Sequence, residues 1–405
     1  MRPAEASPGF RRGWGRQTSL FQFRRPAFWA YATVVAGTGM AAVGAQSAFR
    51  QISPSGWALS WLLLAIYALP VFLAVYFLDL YEREPLSLVF GAVVWGAVAA
   101  TTLAGIGNQG WGLVVARIGT PEFAARWTAA FTAPLVEETL KAIGLVLLVL
   151  IATDEWDDVM DGFVYGAVCG LGFAVVEDVF YFIAVFGGSP GAVLAGFYVR
   201  VVSSGLYGHV LYTALSGMGI AYFVSLADEV PLRRRVLVAG GLFLAAVAGH
   251  FLWDSPWLDL FPSRVEGLRD WALIPVAAAV KGVPLLALTV VGVTLARRRE
   301  RGWLESALRS EVERGTLSAV ELGLLLDPTA RRRSRRDVRA RAGTGPARLL
   351  KRLQREQVNL AMIRTRVETD DDPDLERQRQ YCRSLRDALM AVPGAVPWAS
   401  RSQVR

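Results

Sequence analysis

Residues 128–151 read TAAFTAPLVEETLKAIGLVLLVLI, an apolar run that is interrupted by Glu137, Glu138 and Lys141. A helix needs about 20 apolar residues to cross a bilayer, so this run is long enough to span one. Charged side chains in hydrocarbon cost about 2.5 to 3.5 kcal/mol each on insertion scales, so each needs a partner or a function. The stretch therefore predicts a membrane helix that carries polar chemistry.

Similar apolar runs recur along the first three quarters of the chain. They lie near residues 28–48, 57–78, 86–107, 160–186, 197–226, 236–256 and 271–296. The composition agrees, with 53% hydrophobic and 19% charged residues, whereas soluble domains carry about 25% charged residues. The sequence predicts an all-α protein, a polytopic membrane bundle of about eight transmembrane helices.

Charge divides the chain into three segments: a basic N-terminal segment (1–27), a transmembrane domain (28–296) and a basic tail (297–405). Amphipathic patterns and an arginine run at 331–336 predict a tail that is helical and partly disordered. That run is compatible either with binding of anionic lipid headgroups or with a solvated tail.

Orientation follows from the arginines of the short flanking segments. The N-terminal segment, Arg233–Arg235 and Arg297–Arg299 lie on one face if the number of spans is even. We therefore expect a multi-pass protein of the cell membrane with both termini in the cytoplasm. The two cysteines, Cys169 and Cys382, have no CxxC or Cys/His spacing around them, which argues against a disulfide framework or a zinc finger.

Helical spacing allows Lys141 to pair with either neighbouring glutamate, since Glu138 lies three residues and Glu137 four residues before it. Adjacent helical residues point about 100° apart, so we expect Glu137 and Glu138 to point in different directions and to have distinct roles.

Polar residues of four predicted spans fall at one depth. With cytoplasmic termini, Glu137, Glu177, His209 and His250 lie roughly 10 to 18 Å below the outer surface. Small residues allow these helices to approach closely, notably the glycines that repeat every fourth position at 162, 166 and 170. The sequence therefore predicts a buried cluster that combines carboxylates with imidazoles.

Such a cluster is suited to activating water for amide hydrolysis. A glutamate can act as general base, and histidines can bind a metal or stabilise an oxyanion. Two histidines with one carboxylate also suit zinc, and the residues alone do not separate these mechanisms. We expect Asp178 and Asp254 to support the site, and we assign no chemistry to Arg200 and Lys281.

Four elements of the sequence carry a family resemblance. Glu137-Glu138-Thr139-Leu140-Lys141 resembles the EExxK motif of PrsW-type intramembrane proteases, which are relatives of the CPBP/Abi family that includes the CAAX prenyl endopeptidases. The segments 172–177 (GFAVVE) and 209–213 (HVLYT), together with His250, are similar to the elements that follow that motif. The loop at 79–85 (DLYEREP) also resembles a segment of these proteins.

This resemblance implies an intramembrane endopeptidase that cleaves membrane-anchored proteins, such as an anti-sigma-factor-like regulator. It implies that Glu137 activates water and that Glu138, paired with Lys141, orients Glu137. It also implies that Glu177, His209 and His250 bind a metal such as zinc or stabilise the oxyanion. The implied partners are membrane lipids and a membrane-anchored substrate, and no nucleic acid is expected.

Two other functions remain open from the residues. Intramembrane carboxylates and histidines also occur in ion- or proton-coupled transporters, and a non-catalytic membrane binding protein of the same fold could retain them. A transporter more often shows internal repeats with broken helices at corresponding positions, and this sequence shows no convincing repeat.

Overall fold

The computed structural model describes residues 18–78, 83–205, 207–257, 267–367 and 369–396. These ranges contain thirteen helices and no strand, which confirms the all-α class. The chain divides into two compact units, one comprising Gln17–Asp79 and Arg83–Thr294, while the helical residues from Leu295 onward belong to the other. Most of the predicted basic N-terminal segment and part of the loop at 79–85 lie outside the described residues.

The first unit contains the long apolar helices. They are α1 (Pro26–Ile52), α2 (Pro54–Tyr76), α3 (Leu86–Ile118), α4 (Pro121–Ile151), α5 (Val159–Val185), α6 (Pro190–Val202), α7 (His209–Ser225), α8 (Leu232–Asp254) and α9 (Leu268–Glu313), the last of which continues into the second unit. Proline at the first helical position and a serine or threonine cap begin α2, α4 and α6, because the missing proline N–H would be unpaired there in any case.

Six of the described helices are long and apolar enough to cross a membrane, namely α1, α2, α3, α5, α8 and α9. The predicted span at 128–151 is a helix of sufficient length, α4, but its apolar run contains the charged residues Glu137, Glu138 and Lys141. Helix α7 has 17 residues, slightly fewer than a full crossing requires. The chain is therefore a multi-pass membrane protein, and its full number of spans stays a prediction.

The prediction of one continuous helix over 197–226 is wrong. Helix α6 ends in a π-helical turn at Tyr198–Val202, and α7 begins only at His209. The intervening segment contains two serines and two glycines, residue types that favour turns over helix. The break places His209 at the first position of a helix.

Glycines at every fourth position of α5 fix its packing against α7, as the sequence predicted. A Cβ atom added to Gly162, Gly166 or Gly170 would lie 2.1 to 2.3 Å from a backbone carbonyl oxygen of α7. The carbonyl that opposes Gly170 belongs to His209. The glycine stripe thus sets the distance between the two helices that contribute Glu177 and His209.

The second unit is a helical bundle with its own apolar core. Beyond the end of α9 it contains α10 (Ala319–Leu326), α11 (Pro328–Ala342), α12 (Thr344–Arg366) and α13 (Pro373–Met390). A capping box of Ser318 and Glu321 begins α10, and the carboxylate of Asp327 caps α11. Core side chains include Leu308, Leu353 and Leu385. The described part of the tail is therefore folded, and the disorder expected for part of it is not found in these residues.

Candidate functional site

Four helices of the first unit contribute polar side chains to one buried cluster. Helix α4 provides Glu137, Glu138 and Lys141, and α5 provides Glu177. His209 begins α7, and His250 lies near the end of α8. The structure thus brings together all five residues that the sequence proposed for the site.

Lys141 is the central cation of the cluster and is completely buried. Its Nζ donates to Glu138 Oε1 at 2.8 Å and lies 3.6 Å from Glu137 Oε2. The ammonium also lies 3.8 Å from the centre of the Phe173 ring, a cation–π contact. Both glutamates therefore converge on one ammonium, and the expected divergence of their side chains is wrong, because each side chain is long enough to turn back to Lys141.

His209 connects Lys141 to Glu177. Its Nδ1 lies 2.8 Å from Lys141 Nζ, and its Nε2 lies 2.9 Å from Glu177 Oε2. An ammonium has donors only, so Nδ1 accepts from Lys141, and Nε2–H then donates to Glu177. The hydrogen-bond network thus assigns His209 as the neutral Nε2–H tautomer.

His250 lies between carboxylates on both sides of its ring. Nδ1 is 3.1 Å from Glu138 Oε1, and Nε2 is 3.3 Å from Asp254 Oδ2 and 3.8 Å from Glu137 Oε2. The Tyr212 ring stacks on the imidazole with a centroid separation of 4.9 Å. These contacts fix the orientation of the ring, and they give Asp254 the supporting position that the sequence predicted.

Arg200 is a site residue to which the sequence analysis assigned no chemistry. Its Nη2 donates to Glu177 Oε2 at 2.6 Å, and its Nε donates to Asp178 Oδ1 at 2.5 Å. The guanidinium also stacks on the Tyr181 ring at 3.6 Å. The signal was present in the sequence, since a cation within an apolar run requires a buried partner.

Asn108 of α3 was missed altogether. Its Nδ2 donates to Glu137 Oε1 at 3.0 Å, which leaves Glu137 Oε2 and Asn108 Oδ1 as buried atoms without a hydrogen-bond partner among the described residues. A search for amides within apolar runs would have selected this residue. Lys281 lies elsewhere, where its Nζ donates to the carbonyl oxygens of Trp253 and Ser255 at the end of α8.

A group suited to metal binding lies within this cluster. One ligand atom each of Glu137, His209 and His250 lies within 4.8 Å of the other two. Two imidazoles and a carboxylate form a donor set typical of zinc sites, and Glu137 Oε2, which accepts no hydrogen bond, is an available ligand atom, so these residues fit a divalent metal. Glu177, which the sequence analysis placed among the ligands, is outside this group and is held by Arg200 and His209.

Comparisons with known proteins identify a family whose matched region includes the cluster. Residues 84–289 match the family described as "PrsW family intramembrane metalloprotease". The chain is 30% identical over 199 residues to "Protease PrsW" of Geobacillus kaustophilus (strain HTA426), a match that covers 49% of this chain and 72% of that protein. No solved structure matches the chain. Because the family match includes α3 to α8 and every residue of the buried cluster, the chain belongs to the PrsW family of intramembrane metalloproteases.

Proposed function

We propose that the protein hydrolyses peptide bonds of membrane-anchored proteins at the buried cluster, with Glu137 as the base that activates water. The observation that carries this proposal is the buried Oε2 of Glu137, which accepts no hydrogen bond although Lys141 Nζ lies 3.6 Å away. The other two glutamates are already engaged, Glu138 by Lys141 and His250, and Glu177 by Arg200 and His209. Glu137 therefore has the open acceptor atom that a general base requires.

The neighbouring residues support distinct roles in this reaction. Asn108 holds one oxygen of Glu137 and leaves the other to accept a proton from water. Lys141 compensates the charge of Glu138, and the same Glu138 oxygen contacts His250 Nδ1 and holds that ring in place. Glu177, oriented by Arg200, fixes the ring of His209.

A metal would act at the same cluster, where Glu137 Oε2 would serve either as a ligand or as the base, since one oxygen atom does not hold an ion and accept a proton at once. Glu137, His209 and His250 are the residues that would hold a divalent ion. Such an ion supplies Lewis-acid polarisation of the scissile carbonyl when it is bound. To bind an ion, His209 would have to give up the hydrogen bond that Nδ1 accepts from Lys141 or the one that Nε2–H donates to Glu177, since a metal ligand needs a free lone pair.

We further propose a substrate and a topology. The substrate is a protein with a single membrane span, for example a membrane-anchored regulator of the anti-sigma type. If α4 and α7 span the membrane together with the six longer apolar helices, the number of spans is even, and arginine placement favours cytoplasmic termini. On this proposal 28–296 is the membrane catalytic domain, and 1–27 and 297–405 are cytoplasmic.

The decisive experiment uses the full chain in liposomes with a labelled single-span substrate. Glu137→Gln is expected to abolish cleavage, whereas Glu122→Gln, an exposed glutamate of the same helix, is expected to retain it. Cleavage by Glu137→Gln at the wild-type rate would overturn the assignment.

Metal content of the purified variants separates two roles of Glu137. An inactive Glu137→Gln protein that retains its metal identifies Glu137 as the base, and loss of the metal would reassign it as a ligand. Addition and removal of a chelator in the same liposomes then measures how far cleavage depends on the ion.

A further inference from the structure

The second unit contains a strongly basic segment that the family resemblance does not include. Between residues 328 and 355 the acidic side chain is Asp337, whereas the basic residues are Arg331, Arg332, Arg333, Arg335, Arg336, Arg339, Arg341, Arg348, Lys351, Arg352 and Arg355. Helix α11 carries seven of these cations over its 15 residues. The excess of positive charge is therefore concentrated on one helix.

Helix α11 separates its arginines from its buried residues. Arg331, Ser334 and Val338 are the buried positions and form its inner side. The exposed residues Arg332, Arg333, Arg336 and Arg339 lie within an arc of roughly 120°, since successive residues turn by about 100°. We call these four residues the arginine face.

No ion pair forms on the arginine face within the part of the chain that the structure describes. Several acidic residues of the unit pair with other cations instead. These pairs are Glu311 with Arg379, Glu321 with Arg386, Glu305 with Arg309, and Asp370 with Arg314 and Arg364. The folded unit thus uses these carboxylates elsewhere and leaves a surface of like charge.

Like charges on one helix repel one another, which makes this surface costly unless an anionic partner offsets the repulsion. The neighbouring Arg335 lies close to some of the same cations. Burial lowers the pKa of its guanidinium, and the nearby cations Arg331 and Arg332 lower that pKa further. An anion bound at this surface would relieve the repulsion.

We propose that the arginine face binds the phosphate headgroups of anionic lipids in the membrane that holds the protein. Helix α9 passes without interruption from the apolar run into the second unit, so the chain itself tethers the arginine face to a membrane segment and reduces the entropic cost of association. Each arginine at an anionic surface strengthens binding roughly fivefold. This inference is independent of the proposed proteolysis.

The same surface is less suited to nucleic acid. Proteins that bind single-stranded RNA or DNA add aromatic side chains on which bases stack, and α11 has no aromatic residue. Arginine side chains alone suit phosphate groups displayed at high density, as on a lipid bilayer.

The test places a fluorophore on the arginine face of the full-length protein. Ala340→Cys is exposed and lies within the same arc, whereas the native cysteines are buried, so labelling is confined to the new thiol. The labelled protein is reconstituted in nanodiscs of phosphatidylcholine, with or without phosphatidylglycerol, and each contains a headgroup-attached quencher. Quenching is expected to increase strongly with phosphatidylglycerol and to decrease with salt.

Matched charge variants make the test specific. Arg332→Gln with Arg336→Gln is expected to lower the equilibrium constant for lipid binding by the arginine face, measured from the quenching, roughly 25-fold. Arg309→Gln with Arg377→Gln removes the same charge from exposed arginines that pair with acids, and it is expected to leave the quenching unchanged.

Equal quenching with and without phosphatidylglycerol would overturn the proposal, as would equal losses in the two double variants. A response to an added RNA oligonucleotide at physiological salt without a response to phosphatidylglycerol would also overturn it, and would assign the face to nucleic acid.

Discussion

Removal of the Lys141 ammonium is expected to destabilise the membrane unit severely. The Nζ atom lies 2.8 Å from Glu138, 2.8 Å from His209 and 3.6 Å from Glu137, and none of the lysine is exposed. Lys141→Met retains the apolar stem of the side chain but leaves the carboxylates without their central cation. Loss of one partner of a buried ion pair costs about 3 to 5 kcal/mol.

The assay is thermal unfolding of the full chain in nanodiscs. For a domain of this size, such a loss lowers Tm by roughly 6 to 20 °C. Lys351→Met is the control, because this lysine is exposed on α12 and makes no ion pair in the described part of the chain. Its Tm is expected to stay at the wild-type value.

A double variant identifies the cause of the loss. Glu138→Gln with Lys141→Met removes both charges of the 2.8 Å pair and is expected to recover part of the lost stability. A Tm for Lys141→Met equal to that of wild type would refute the reasoning, since it would mean that the pair is not charged in the folded protein. The absence of recovery in the double variant would refute the assignment of the loss to Glu138.

Four further experiments test other parts of the structure. Arg200→Gln is expected to lower kcat about 10- to 100-fold, because Arg200 would no longer hold Glu177 in the position that orients His209. Arg200→Lys should restore part of the activity, and an unchanged kcat for Arg200→Gln would contradict this role. Gly166→Ala is expected to reduce both Tm and cleavage, since its Cβ would lie 2.3 Å from the Thr213 carbonyl oxygen, whereas Gly240→Ala, with open space around it, should affect neither. Burial raises the pKa of Cys382 to about 12, so a maleimide is expected to label this thiol only after unfolding, and rapid labelling at neutral pH would contradict its burial. Burial alone would raise the pKa of Glu356, but hydrogen bonds from Gln378, Arg355 and Asn359 lower it below its usual value. The carboxylate therefore stabilises the folded protein fully above the unfolded pKa of about 4.3, and this contribution is lost as pH falls through the lower folded pKa. Glu356→Gln should flatten this acid dependence of Tm.

The clustering of Glu137, Glu138, Glu177, His209 and His250 could be predicted from the sequence because each of these side chains is costly in hydrocarbon. Glu137, Glu138 and Lys141 interrupt an apolar run at helical spacing, so their pairing followed from geometry alone. The close contact of α5 and α7 followed from the glycine repeat in the same way. Both predictions depend on local spacing, which a sequence displays directly.

The sequence was less informative where a result depends on contacts between distant segments. Asn108 is an ordinary polar residue until α3 packs beside α4 and its amide meets Glu137. The break before His209 was hidden because 197–226 is apolar enough to be read as one helix. The metal-binding group contains Glu137 instead of the predicted Glu177, because Arg200 of α6 forms an ion pair with Glu177.

The charges of the site explain why a divalent ion suits it. Five carboxylates belong to the connected network, namely those of Glu137, Glu138, Glu177, Asp178 and Asp254. Lys141 and Arg200 are its two permanent cations, so three negative charges remain to be offset by protons or by a metal. An uncompensated charge in a buried site is expensive, and the ammonium of Lys141 requires an acceptor at His209 Nδ1, which keeps that ring neutral. Because protonation of His209 cannot offset this charge, protons on His250 or on the carboxylates, or a divalent ion near Glu137 Oε2, would have to do so.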